Sequence, residues 1–172
     1  MQQFRQYLPE CFISLLACAI FLCRFGIETL DITNINWIFR LSFDPATEFI
    51  AWQYYRWTDW HFPILGFMEG YNYPMQTGTG MTALIPPLAF LVKIFSPILP
   101  TEMQYFGWWL LLCYVLQGVF GVKILRGLAH RNHLTINDLT LFIGACFFLC
   151  APIMWHRSGH IHMICHFSYY GV

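Results

Sequence analysis

Four long apolar runs, none carrying more than one charge, alternate with polar stretches along this chain. The first is centred on Cys11 to Cys23 and reaches span length with its flanks. Two later runs, Phe106 to Leu125 and Leu139 to Trp155, are cleaner. A run of about 20 apolar residues is what a helix needs to cross hydrocarbon. Met81 to Leu99 is a fourth run, carrying Pro86-Pro87 near its start and Lys93 within it. Prolines in a first turn cost little, because the N–H they lack has no intrahelical partner there. The pattern therefore predicts spans near residues 8–27, 81–99, 106–125 and 139–155.

Residues 28–80 break this pattern and hold six of the nine acidic side chains. Within them, Asp44-Pro45-Ala46-Thr47-Glu48 has the order of a helix start: Asp as N-cap, Pro at the first position, Glu in the first turn. Phe49, Trp52, Tyr55 and Trp57 follow at roughly helical spacing, which suits an amphipathic helix lying in a membrane interface. Gly70 to Gly80, with Asn72 and Pro74, is loop.

Composition sharpens the class. Charged residues make up 10% of the chain and hydrophobic residues 58%, with a mean hydropathy of +0.51. A water-facing domain carries about 25% charged residues. Zero net charge removes the electrostatic footprint of a nucleic-acid binder. The seven cysteines form no CxxC pair and lie mostly in apolar runs, where they act as small hydrophobes. Arg5 before the first run raises the possibility of a signal peptide, but no cleavage site follows. The expected fold is all-α and integral to a membrane: about four hydrophobic helices, and a long loop containing an interfacial helix after the first.

Orientation is left open by the charges. If all four runs cross and the N-terminus is cytoplasmic, the basic stretch Arg126 to His133 lies outside, against the positive-inside rule. Either the Pro86-Pro87 segment does not fully cross, or the whole chain is inverted.

Asp44 is the sharpest chemical candidate. A carboxylate at the membrane surface takes a proton from a hydroxyl acceptor or holds a divalent cation; the same residue is equally well explained as a helix cap. Glu48, one turn on, is a second candidate or a solvated first-turn acid. His156, His160, His162 and His166 form two i,i+4 pairs, but about 600° of helix rotation separates the pairs. They cannot converge on one ion from a continuous helix, so no metal site is assigned to them.

The run Asp44 to Pro63, ending Asp59-Trp60-His61-Phe62-Pro63, with Pro86-Pro87-Leu88 downstream, resembles the N-terminal module of the polytopic GT-C glycosyltransferases. Phe43 to Phe167 is similar to a family of bacterial multi-pass membrane proteins of unknown function, by Gly70-Tyr71-Asn72-Tyr73-Pro74, Phe106-Gly107-Trp108, Gly159-His160 and His166. The GT-C resemblance implies an enzyme of the bacterial inner membrane taking sugar from a polyprenyl-phosphate donor. It puts Asp44 where the family has its acidic base or metal ligand, with Glu48 beside it. It makes Arg40, Arg56 or Lys93 candidates for the donor phosphate, and His160 and His166 for a substrate pocket. The superfamily often has two adjacent acids where this chain has Asp44-Pro45, and its members have more spans, so these residues resemble the first part of a longer protein. The alternative is a non-enzymatic subunit packing on a larger membrane partner through Gly118, Gly121 and Gly144, since small residues let helices approach closely.

Overall fold

The computed structural model describes residues 7–41, 43–156 and 159–161. Its order is α1 (Leu8–Phe25), a 3₁₀ turn (Ile27–Leu30), α2 (Asn36–Leu41), α3 (Phe43–Trp57), strands β1 (Phe67–Met68) and β2 (Thr77–Gly78), a 3₁₀ turn (Thr79–Met81), α4 (Pro86–Ile94), a third such turn (Ser96–Ile98), α5 (Phe106–Arg131), α6 (Asp138–Leu149) and α7 (Pro152–His156). These elements fall into two compact units.

The first unit is a bundle of α1, α5, α6 and α7. Three stretches are long and apolar enough to cross a membrane: Leu8–Phe25, Phe106–Arg131 and Asp138–His156. At 1.5 Å per residue they reach roughly 27, 39 and 28 Å, against about 30 Å of hydrocarbon. Their outward positions stay apolar, with Leu15, Trp108 and Phe147 all more than half exposed. Inward, Ile13, Ala17, Phe21, Leu110, Cys113, Tyr114, Ala145 and Leu149 are fully buried.

Close approach explains the glycines. A Cβ on Gly118 would sit 2.7 Å from Ile13, one on Gly121 3.1 Å from Phe148, and one on Gly144 2.5 Å from Leu125. The three glycines singled out for docking a partner thus face helices of their own chain.

Contacts at the two ends of the bundle fix the directions in which α1 and α5 run. At one end Arg126 of α5 grips Glu10 of α1 through two nitrogens, at 2.5 and 3.2 Å. At the other, Arg24 donates to the Trp155 carbonyl at 2.6 Å and lies over its indole at 4.5 Å. There too Trp108 Nε1 donates to the Leu30 carbonyl at 2.9 Å, and Gly107 lies against the Thr29 carbonyl. The C-terminal end of α1 therefore meets the N-terminal end of α5. Asp31 and Tyr105, the bundle residues that flank residues 32–104 in sequence, therefore belong to the same end of the bundle.

The second unit is residues 32–104 with 159–161. Where a span was expected near 81–99, the helix is α4, nine residues between two 3₁₀ turns. Nine residues rise about 13 Å, less than half of the hydrocarbon thickness. Helix α3 is amphipathic as its spacing predicts, but Phe49, Trp52 and Tyr55 are 6%, 0% and 2% exposed. These rings form the unit's own core, and only Trp57 of the expected four is turned outward. Trp52 Nε1 donates to the Met103 carbonyl at 3.0 Å, and Gln104 N–H to the Ile32 carbonyl at 2.8 Å, closing the unit where its chain enters and leaves.

Candidate functional site

Helix α3 begins at Phe43, two residues before the Pro45 start that the capping pattern predicts, so Asp44 lies in its first turn. Its carboxylate points sideways to the segment around Gly159. Oδ2 of Asp44 is 2.9 Å from Nδ1 of His160, and the two side chains are 51% and 46% exposed. Two candidates named from the sequence are thus brought within ion-pair distance.

The other expected residues are placed differently. Glu48, one turn along α3, is buried at 2% exposure. Arg40 is exposed near the end of α2. Arg56 lies 12 residues from Asp44, about 18 Å along the helix, and is 3% exposed. Its Nη1 donates to the carbonyls of Pro100 and Thr101 at 2.6 and 3.0 Å, and its Nη2 to those of Ser96 and Leu99 at 3.2 and 3.1 Å. The guanidinium also lies 4.8 Å from the Trp57 ring. Burial pushes its pKa below the ordinary arginine value. Arg56 is committed to folding the segment after α4. His166 lies outside the described residues.

Lys93 is likewise enclosed, at 5% exposure. Its Nζ donates to the Thr58 carbonyl at 2.7 Å and sits 4.4 Å from the Tyr55 ring and 4.7 Å from that of Trp60. Desolvation lowers its pKa, partly opposed by the charge of Asp59. A ring quadrupole stabilises a cation placed over its face, which keeps this ammonium where water does not reach.

No group of three His, Cys, Asp or Glu side chains converges among the described residues. Asp44 and His160 would supply two ligands to a divalent cation that takes six or more.

The sequence matches one family, described as a domain of unknown function, DUF6311, over residues 14–168. The chain belongs to it. No curated protein and no solved structure is detectably similar. The DUF6311 match takes in all three candidate spans in large part, the whole of the second unit, and both Asp44 and His160.

The sequence reading missed a cleft on another side of α3. Gln53, Tyr54, Trp57, Thr58 and Glu69 line a cavity of about 370 Å³. Trp57 was singled out only as an interfacial ring. Glu69, in the loop after β1, gives no signal in the sequence.

Proposed function

We propose that this chain is a membrane protein of glycosyltransferase type, acting on a lipid-linked sugar at the outer face of the bacterial inner membrane. The observation that carries the reading is the Asp44–His160 pair, half exposed at the start of α3. The Asp44–His160 pair would take the proton of an acceptor hydroxyl while the acceptor oxygen attacks the anomeric carbon. The bond from that carbon to the donor phosphate breaks, its electrons leaving with the phosphate. The pair shares the proton taken up, and Arg40, exposed four residues before Asp44, is a cation for the departing phosphate.

Sidedness supports this placement. The end of the bundle that carries Glu10 and Arg126 also carries Lys123, His130, Arg131 and His133, so the positive-inside rule assigns it to the cytoplasm. Asp31 and Tyr105, where the bundle's chain leaves and returns, then lie at the outer end. Asn72→Cys should be labelled by an impermeant maleimide in spheroplasts, and Asn132→Cys only after lysis. The reverse pattern would invert the assignment and remove the donor from reach.

The direct test uses the full-length protein in membranes, with sugar transfer from a polyprenyl-phosphate donor as the readout. Asp44→Asn and His160→Gln should each lower transfer about 10²–10⁴-fold, at unchanged protein level. The double variant should be no worse than the poorer single, because the pair acts as one unit. Wild-type transfer by either single variant would dismiss the pair as the base.

A further inference from the structure

We infer that the cleft lined by Gln53, Tyr54, Trp57, Thr58 and Glu69 is a saccharide-binding site, separate from the Asp44–His160 pair. At about 370 Å³ it falls in the range of small-molecule sites, which are largely apolar with a few placed polar groups. Its chemistry is narrower than that. Trp57, 59% exposed, offers a flat indole, and the Arg56 guanidinium on its ring holds it in place. Tyr54, 42% exposed, is fixed edge-on against Tyr71, with centroids 5.3 Å apart and planes at 67°.

The polar wall is equally well held. Thr58 donates through its hydroxyl to the Tyr54 carbonyl at 2.8 Å and accepts from the Glu69 N–H at 3.1 Å, which pins the Glu69 backbone to the end of α3. Gly70 follows at φ +74°, where a side chain would be strained, and turns the loop beside the Tyr54 ring. The Gln53 amide nitrogen is directed to the Met103 carbonyl at 3.5 Å, which turns its oxygen the other way. The Glu69 carboxylate has no hydrogen-bond or ion-pair partner among the described residues.

A flat ring beside a carboxylate and an amide oxygen matches a pyranose. One face of such a sugar carries C–H bonds polarised toward positive, which suit the negative face of an indole. Its edge carries neighbouring hydroxyls, which donate to a carboxylate more strongly than to a neutral acceptor. A lipid-facing tryptophan would not be walled by an acid and an amide. A quaternary ammonium would use the rings and the acid but leave the amide idle. Gln53 and Trp57 lie about 14 and 20 Å along α3 from Asp44, and on another face of the helix, so one sugar unit does not occupy both places.

The test is saturation-transfer NMR on the full chain in detergent, with methyl α-glucoside, methyl α-mannoside and N-acetylglucosamine as probes and tetramethylammonium as the competitor. At least one sugar should receive saturation at its ring C–H protons. Trp57→Ala should abolish the signal and Trp57→Phe retain part of it. Glu69→Gln should weaken binding about tenfold or more, and it decides the matter should Trp57→Ala fail to fold. No signal from any of the three sugars, signals unchanged in Glu69→Gln, or displacement of the sugars by tetramethylammonium at equal concentration would each overturn the assignment.

Discussion

The two units solve the problem of burying charge in opposite ways. The bundle keeps nearly all polar groups at its ends, where Glu10 meets Arg126 and Arg24 meets the carbonyl of Trp155. Between those ends it relies on apolar side chains and on glycines that let helices touch. The second unit instead puts Glu48, Arg56 and Lys93 inside, at 2%, 3% and 5% exposure. It is able to do so because its short helices leave carbonyls without intrahelical partners. The last four carbonyls of any helix are in that position, and the turn after α4 adds more. Four of them converge on Arg56, and that of Thr58 meets Lys93. A long helix in lipid has few such acceptors to offer, so the same cations would be unaffordable there. Helix interruptions are thus what allow the second unit an ionic interior.

Replacing Arg56 breaks that comparison most severely. Arg56→Met leaves the carbonyls of Leu99, Pro100 and Thr101 without their side-chain donor and that of Ser96 with only the Leu99 N–H, and should cost the second unit about 3–5 kcal/mol. Arg56→Lys should recover less than half, since an ammonium lacks the planar fork that reaches several acceptors at once. Hydrogen exchange at residues 96–104 gives the readout, with α5 as internal reference. Equal protection in wild type and Arg56→Met would mean that the carbonyls find other donors and that Arg56 is not the organising group.

The bundle is more sensitive to volume. A side-chain carbon on Gly107 runs into the Thr29 backbone carbonyl, which cannot rotate away. Gly107→Ala should therefore cost roughly 1–3 kcal/mol and loosen the 3₁₀ turn Ile27–Leu30 from α5. The Trp108 bond to Leu30 should be lost first, seen as a red shift of that indole's fluorescence. A detergent melting temperature within error of wild type would show that the two segments are free to separate.

These contrasts explain what the sequence could reveal. Spans are written locally, because lipid demands a continuous apolar run, and three of the four expected runs are helices of sufficient length. The stretch 81–99 misled for the same reason: its apolar residues serve the interior of the second unit, whose depth hydropathy does not distinguish from that of a bilayer. Asp44 was legible from the helix start around Pro45, but its link to His160 joins distant parts of the chain and has no period to betray it. Arg56 reads as a surface cation beside exposed aromatics because its acceptors are carbonyls, which have no residue type. The cleft combines both difficulties, a ring readable as an interfacial anchor and an acid brought to it by one threonine hydroxyl.

Lys93 provides the smallest and most discriminating change. Its pKa in the folded protein lies below the ordinary 10.5, chiefly because burial disfavours the ammonium. The unfolded chain therefore binds more protons than the folded one between that lowered value and 10.5. Stability gained by the second unit from this group rises with pH across that window, and the cost of burying the charge is fully present below it. Tyr55 opposes the trend from about pH 10 upward, since burial raises its own pKa from 10.0 and the folded protein then holds a proton that the unfolded chain has lost, but both proteins compared below keep Tyr55. Lys93→Met should remove the slope, so that the difference in unfolding free energy between wild type and variant shifts toward wild type as pH rises. Urea titrations of both proteins at several pH values up to 10.5, followed by exchange at residues 55–60, measure that difference. A pH-independent difference would mean that the rings of Tyr55 and Trp60 hold the ammonium as well as water does, and the contrast between an ionic unit and an apolar bundle would then owe more to aromatic faces than to interrupted helices.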